Sequence, residues 1–344
     1  MKAGVVFGKD DIRYVDWEEP AVGEREVKVN MRACGICGSD VPRVLGDEAH
    51  YYPIILGHEF SGVVSAVGSG VTRVKPGDHV IGIPLIPCME CEDCKNGNYS
   101  LCKNYSFVGS RRNGAFAEYV VLPEENVLKI DDSIPFRAAA LFEPSTVALH
   151  GLRCIDFQPG KRTAVLGVGA IGILAVQWAR ILGAKEIVAF DVEDSRLDLA
   201  LELGADRVVN TRKTSELPVG FDYVLETAGQ PETIKTCFRI VGNKGKICCV
   251  GTPHRDFQFE WKTWEQLNRK EALVTASWMS YSAPFPGDEW RMTAKCLADG
   301  NLRFTDKVIH GEIPLSRVRE AFDLYKVPGQ VKGRVILTNY GNDE

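Results

Sequence analysis

Residues 163–172 read TAVLGVGAIG, an apolar run that ends in the pattern G-x-G-x-x-G at Gly167, Gly169 and Gly172. Alone, that pattern marks a tight corner between a strand and a helix. Here it closes an apolar strand-like segment and opens AIGILAVQWARILG (170–183), whose spacing is helical. That context is what a dinucleotide fingerprint requires. Gly167 permits the turn and Gly169 lets the backbone approach a pyrophosphate. Ile171 and Gly172 follow at the helix start, where Gly172 lets helix and strand pack closely and unpaired N–H groups favour phosphate charge. The next strand-like segment, EIVAFD (186–191), ends at Asp191, 19 residues beyond Gly172. A carboxylate there accepts hydrogen bonds from both ribose hydroxyls and repels a 2′-phosphate, which favours NAD over NADP. Arg196 stands where it can flank the adenosine, or else is an exposed helix arginine.

Outward from this point the texture divides the chain. DRVVN (206–210), FDYVLETA (221–228), GKICCVGT (245–252) and ALVTASW (272–278) alternate with helical patterns such as SRLDLALELG and PETIKTCFRIVG. Alternation of this kind predicts βαβ units around a parallel sheet. Before about residue 145 the segments are short and alternating, as in EVKVNMRA (26–33), FSGVVSAVG (60–68), DHVIGIPL (78–85) and FAEYVVLP (116–123), which predicts β-structure. After about 290 come two amphipathic helices, WRMTAKCLADG and PLSRVREAFDLYK, and a closing strand, GRVILTN, expected to pack back on the first domain.

The 344 residues, 45% of them hydrophobic, suffice for two domains with separate cores. A formal net charge of -5 argues against a nucleic-acid surface. The first twenty residues carry charges where a secretion signal needs an apolar core, and no run approaches the roughly 18 apolar residues of a membrane span. A cytoplasmic protein that neither binds nor crosses membranes is expected.

In that reducing compartment CMECEDCKNGNYSLC (88–102) reads as a metal loop rather than a disulfide framework. Cys88, Cys91, Cys94 and Cys102 can close a tetrahedral zinc site with Zn–S bonds of about 2.3 Å. The iron–sulfur alternative has a shorter last gap followed by proline, whereas Lys103 follows Cys102. Four thiolates leave no open position, so this ion holds a loop in place.

Three further stretches carry metal-type side chains: CGICGSD (34–40), LGHEF (56–60) and LFEPSTVALH (141–150). Each is unremarkable alone. Together with the cysteine loop and the glycine fingerprint they resemble the zinc-dependent medium-chain alcohol and polyol dehydrogenases, over essentially the whole chain. The resemblance implies an α/β architecture: a GroES-like β-rich catalytic domain of residues 1–148 and 291–344, and a Rossmann domain with a doubly wound parallel sheet at 149–290. It implies NAD and two zinc ions per chain, with an active site in the cleft joining the domains. Cys37, His58 and Glu143 would ligate the catalytic zinc, with Glu59 as a carboxylate able to replace the open ligand or to support it from behind. Ser39 would take the substrate proton, and Cys34 would be a bystander. Relatives are homodimers or homotetramers.

One departure concerns proton release. Many relatives read GSDVH, with the histidine relaying the proton, but position 42 here is Pro. Ordered water, His50, Tyr51 or Tyr52 would have to serve. AHYYPIILGHEFSG, FVGSRRNGAFAEY and SWMSYSAPFPGDEW resemble a branch of the family that acts on sugar-alcohol phosphates rather than neutral polyols. A phosphate needs guanidinium groups, and Arg43, Arg111 and Arg112 are the candidates. Trp278, Tyr281 and Trp290 would line or support the substrate cleft. The alternatives are a general polyol dehydrogenase and, from another class, a non-catalytic NAD-sensing zinc-ribbon protein, which would carry one zinc rather than two.

Overall fold

The computed structural model describes residues 1–327 and 329–340. The chain forms two compact units: one of Met1–Glu143, Tyr281–Asp299 and the described residues from Phe304 on, the other of Pro144–Ser280 with Gly300–Arg303.

In the second unit the described residues form a six-stranded parallel sheet. Its order is Arg207–Asn210, Glu186–Asp191, Arg162–Leu166, Phe221–Glu226, Val241–Cys249, Leu273–Ala276. The order reverses between Arg162–Leu166 and Phe221–Glu226, and a doubly wound sheet binds ligands at the carboxyl ends of strands beside such a reversal. The middles of the inner strands are apolar because helices cover both faces. Ala164, Val188, Phe190, Phe221, Val224 and Ile247 are buried together in this core. Helix Pro231–Ile240 stops one residue before the strand that the sequence PETIKTCFRIVG leads into, so Val241 and Gly242 belong to the sheet. Helix Trp261–Lys270 has no counterpart in the sequence reading. Its Trp264, though 50% exposed, packs edge to face on Phe238 and Phe259, and Leu267 joins the same core.

In the first unit the central strand is Glu26–Gly35, which pairs antiparallel with Glu59–Val67, Tyr119–Pro123 and Arg334–Thr338. The register decides the chemistry. Gly35 stands opposite both Glu59 and Ile336. The loop leaving Gly35 therefore carries Cys37 past the start of the Glu59 strand, with His58 just before it, and Arg334 arrives from the closing strand. The core beneath is large and dry: Met31, Ile36, Phe60, Phe116 and Phe322 are buried, with Phe116 and Phe322 edge to face at 5.9 Å. Among the described residues no helix is long and apolar enough to cross a membrane.

Candidate functional site

Donor atoms of Cys37, His58 and Glu59 lie within 4.8 Å of one another. Cys37 sits in the turn between strand Glu26–Gly35 and the short helix Asp40–Leu45, and Ser39 immediately precedes that helix, its hydroxyl making no capping bond. Cys37 donates its backbone N–H to the Asp40 carboxylate (3.1 Å), and His58 Nδ1 lies 3.5 Å from the other Asp40 oxygen. Glu59 Oε2 lies 3.1 Å from Arg334 Nε, and Arg334 also donates to the Ile36 carbonyl (2.9 Å). Glu143, buried at the start of helix Phe142–Cys154, lies outside the three-donor group but within electrostatic reach of Cys37 and Glu59.

The electrostatics call for a cation. Burial, then the charges of Glu59 and Asp40, push the Cys37 thiol up. Burial raises the Glu59 and Asp40 carboxyls, and burial followed by Glu59 raises Glu143 to about 8. Burial opposes the charge on Arg334, but Glu59 and Cys37 hold its guanidinium firmly protonated. Asp40 Oδ1, His58 Nδ1 and Glu59 Oε2 are buried without a hydrogen-bond partner of good geometry. Thiolate, imidazole and carboxylate donors that cost energy to ionise in isolation, gathered at one point, fit a zinc ion that leaves a coordination position open. Asp40 and Arg334 are not singled out by the sequence reading. The signal available for Asp40 was its place three residues after Cys37, in reach of that residue's N–H.

All 11 cysteines are free thiols. The sulfurs of Cys88, Cys91, Cys94 and Cys102 lie within 4.8 Å of one another, with Cys88–Cys94 at 4.0 Å and Cys91–Cys102 at 3.9 Å. A tetrahedron with Zn–S bonds of about 2.3 Å has edges of about 3.8 Å, so the four sulfurs stand close to the spacing zinc needs. Backbone N–H groups of Cys88 and Cys91 already donate to the sulfurs of Cys102 and Cys88, which orients them as ligands. Cys34 is buried beside the Cys37 cluster without joining its donors; burial first, then the charges of Asp40 and Glu59, raises its thiol and keeps it neutral.

In the second unit a cavity of about 670 Å³ opens at the carboxyl edge of the sheet, lined among others by Gly167, Gly169, Asp191, Arg196, Thr227 and Thr233. Gly167 has φ +84, a conformation only glycine adopts cheaply, and a Cβ at Gly172 would overlap the Gly167 carbonyl oxygen. A Cβ at Gly169 would meet nothing within 4 Å, so that backbone faces open space suited to a ligand. Asp191 is fixed by N–H groups of Val168 (2.8 Å), Val192 (2.7 Å) and Glu193 (3.0 Å), and Arg196 stands 3.8 Å from it. Ile171 follows Ala170 in the first turn of the helix. A dinucleotide fits this arrangement: an acid for ribose hydroxyls at one end and a bare helix N-terminus beside Gly169.

The remaining candidates are dispersed. Arg43 donates to Ser39 Oγ (3.3 Å) and lies 3.8 Å from Asp40, so its charge is already engaged. Arg111 is exposed and stacks over Tyr105 with its guanidinium 4.5 Å from the ring; Arg112 donates to the Val121 carbonyl. His50 feels both Arg111 and Arg43, which with burial lower its affinity for a proton. Tyr52 donates to Asp47 (3.1 Å). Tyr281 is 3% exposed, accepts the Leu85 N–H (3.2 Å) and stacks on Trp290 and Phe285, so it packs a core rather than facing a cleft. Trp278, 55% exposed, belongs to the other unit.

Residues 23–132 match the alcohol dehydrogenase GroES-like domain and residues 170–295 the zinc-binding dehydrogenase domain. Over 294 residues the chain is 41% identical to galactitol 1-phosphate 5-dehydrogenase of Escherichia coli K12, spanning 83% of this chain and 85% of that one. The chain belongs to the zinc-dependent medium-chain alcohol and polyol dehydrogenase family. The dehydrogenase is also 35% identical to sorbitol dehydrogenase of Bacillus subtilis over 269 residues, 74% of this chain and 76% of that one. The crystal structure of galactitol-1-phosphate dehydrogenase from Escherichia coli matches its fold with a TM-score of 0.91 at 37% identity, covering 98% of this chain and 100% of that one. A zinc-binding dehydrogenase of Sinorhizobium meliloti, bound to NADP, matches with a TM-score of 0.90 at 29% identity, covering 98% and 99%. The GroES-like and Rossmann parts expected from sequence are thus both present. As a member of an enzyme family, this dehydrogenase is an oxidoreductase rather than a non-catalytic binder.

Proposed function

We propose that the dehydrogenase oxidises a secondary alcohol of a sugar-alcohol phosphate to a ketose phosphate, with galactitol 1-phosphate giving tagatose 6-phosphate as the specific reaction. NAD is the acceptor, and the enzyme works as a cytoplasmic homodimer or homotetramer. The convergence of Cys37, His58 and Glu59 on one point beside buried Glu143 carries the reading of the chemistry. The 41% identity to a galactitol 1-phosphate 5-dehydrogenase supports the substrate.

Cys37 and His58, with Glu143 or Glu59, would hold one zinc, and Cys88, Cys91, Cys94 and Cys102 the other. Zinc of the first kind supplies Lewis acidity, which takes the pKa of water from about 15.7 to about 7 and acidifies an alcohol in the same manner, while NAD supplies the hydride acceptor. Asp40 faces His58 Nδ1 and so selects the tautomer with its lone pair on Nε2. Ser39 receives the hydroxyl proton of the substrate. Because Arg43 donates to Ser39 Oγ, the hydroxyl hydrogen of Ser39 is turned away from Arg43. With Pro42 unable to relay, the proton leaves past Arg43 toward His50 or through water. Asp191, held by three backbone N–H groups, receives the adenosine ribose. Arg111, exposed and stacked on Tyr105, is freer than Arg43 or Arg112 to meet a phosphate, because Arg43 already serves Asp40 and Ser39 and Arg112 the Val121 carbonyl.

That engagement of Arg43 also favours a second reading, a dehydrogenase of neutral polyols. One assay separates the two: NADH formation from equal concentrations of galactitol 1-phosphate, galactitol and sorbitol. A kcat/KM preference of at least about a hundredfold for the phosphate supports the first reading. Equal or better turnover of neutral polyols overturns it.

A further inference from the structure

Glu226 ends strand Phe221–Glu226 at the carboxyl edge of the parallel sheet, next to the point where strand order reverses. It is wholly buried, and the chemistry above makes no use of it. Its Oε1 accepts the N–H groups of Ala228 (3.0 Å) and Gly229 (3.0 Å) and the Thr233 hydroxyl (2.6 Å); Oε2 takes a second contact from Gly229 N–H at 3.1 Å. Its backbone carbonyl accepts the N–H groups of Val250 (2.8 Å) and Gly251 (3.0 Å). One residue thereby fastens the loop after its own strand, the first turn of helix Pro231–Ile240 and the turn after Val241–Cys249.

The loop so held is clamped in turn to the glycine corner. Thr227 donates its hydroxyl to the carbonyls of Gly167 (2.5 Å) and Leu166 (3.2 Å), and a Cβ at Gly167 would approach Ala228 Cβ to 2.7 Å. Thr227, Ala228 and Thr233 line the same cavity as Gly167 and Gly169. A buried carboxylate costs desolvation energy, as the upward shift of its pKa by burial reflects, and Val224 and Leu225 beside it are apolar. The donors it collects offset that cost: Ala228 and Thr233 line the cavity, and Gly229 stands between the lining residues Ala228 and Gln230.

We infer that Glu226 is a positioning residue for the dinucleotide, locking the wall Thr227–Thr233 against the Gly167 turn so that the pyrophosphate cradle exists before the cofactor arrives. The inference rests on the reading of this cavity as the NAD site. Preorganisation of this kind acts on affinity, because a loop already ordered pays no further ordering cost on binding.

The test is direct titration of NADH and ADP-ribose, followed by fluorescence and calorimetry, on wild type, Glu226→Ala, Glu226→Gln and Thr233→Val, each with its zinc content and thermal midpoint measured. Both ligands are expected to bind about tenfold more weakly to Glu226→Ala. Glu226→Gln, which keeps the Oε1 acceptor, should recover part of the loss. Thr233→Val, which keeps the carboxylate and removes one donor, should lose about two- to threefold and supplies the answer if Glu226→Ala does not fold. At saturating cofactor, kcat and the alcohol KM should stay within about twofold. NADH affinity unchanged in all folded variants overturns the role of Glu226 while the dinucleotide reading stands. So does a fall in kcat that follows the thermal midpoint with no selective loss of NADH affinity. A wild-type protein that binds neither ligand overturns both.

Discussion

His58 Nδ1 lies 3.5 Å from the Asp40 carboxylate, and both side chains are almost fully buried. Asp40 also accepts the backbone N–H of Cys37, so a single acid stands against two of the three clustered donors. A carboxylate behind a ligating histidine raises its basicity and fixes its orientation.

Asp40→Ala is therefore expected to weaken zinc at the Cys37–His58 position by about 10- to 100-fold while leaving the cysteine loop loaded. Competition with a chelator, read as zinc per chain, should show one easily removed ion and one retained. Asp40→Asn, which can still accept the Cys37 N–H, should fall between wild type and Asp40→Ala. Equal retention of two ions by all three proteins would remove Asp40 from the site.

The residues that sequence makes legible here are those whose signal is local. The fingerprint at Gly167–Gly172 and the alternation around it are read within one βαβ unit, and the sheet strands lie within a few residues of where periodicity puts them. Cys37, His58 and Glu59 are unremarkable alone and are picked out only by the family resemblance of the stretches that carry them. Asp40 stands three residues after Cys37, but its facing of His58 arises only in the fold. Arg334 escapes because its role arises from register: Gly35 opposite Glu59 and opposite Ile336 brings together segments about three hundred residues apart, and no window spans that. Tyr281 is expected to line or support the cleft, and its packing is of the supporting kind, with the hydroxyl accepting the Leu85 N–H inside an aromatic stack.

Cys94→Ser is expected to remove the loop zinc while the donors Cys37, His58 and Glu59 remain. Structural zinc supplies folding free energy directly, so the thermal midpoint should drop and the loop 88–102 should become protease-sensitive. Cys237→Ser is the matched control, since its thiol is buried in the core of the parallel sheet and belongs to neither cluster. It should keep two zinc ions per chain. A single ion per chain in wild type would contradict the two-site assignment.

Asp191→Gly is expected to raise the KM for NAD by about tenfold and to narrow or reverse the preference over NADP. The carboxylate that repels a 2′-phosphate is gone, and Arg196, 3.8 Å away, is released to meet one. Initial rates with both cofactors at fixed alcohol give the ratio. An unchanged ratio would mean that Asp191 serves only its three backbone donors.

Strand Leu273–Ala276 is the last in the sheet order, and Leu273 and Val274 are 61% and 44% exposed. An apolar strand with one unpaired edge is a site for pairing with another chain. Val274→Pro, which removes a backbone donor, together with Leu273→Lys should shift the mass in solution measured by light scattering toward the monomer. Wild type and the double variant running at the same mass would place the contact elsewhere.

Arg334 is the buried counter-charge of this site, 3.1 Å from Glu59 and bonded to the Ile36 carbonyl. Replacing it by Met fills similar volume but leaves Glu59 without its cation and Ile36 without its donor. Breaking one side of a buried ion pair costs about 3–5 kcal/mol. A zinc ion beside Glu59 supplies positive charge of its own, so the loss should be largest in chelated protein and smaller once zinc is restored. Urea unfolding of wild type and Arg334→Met, each with and without zinc, gives the four free energies. Zinc is expected to stabilise the variant more than the wild type. The same zinc increment in both would mean that Arg334 and the metal do not share the charge of Glu59.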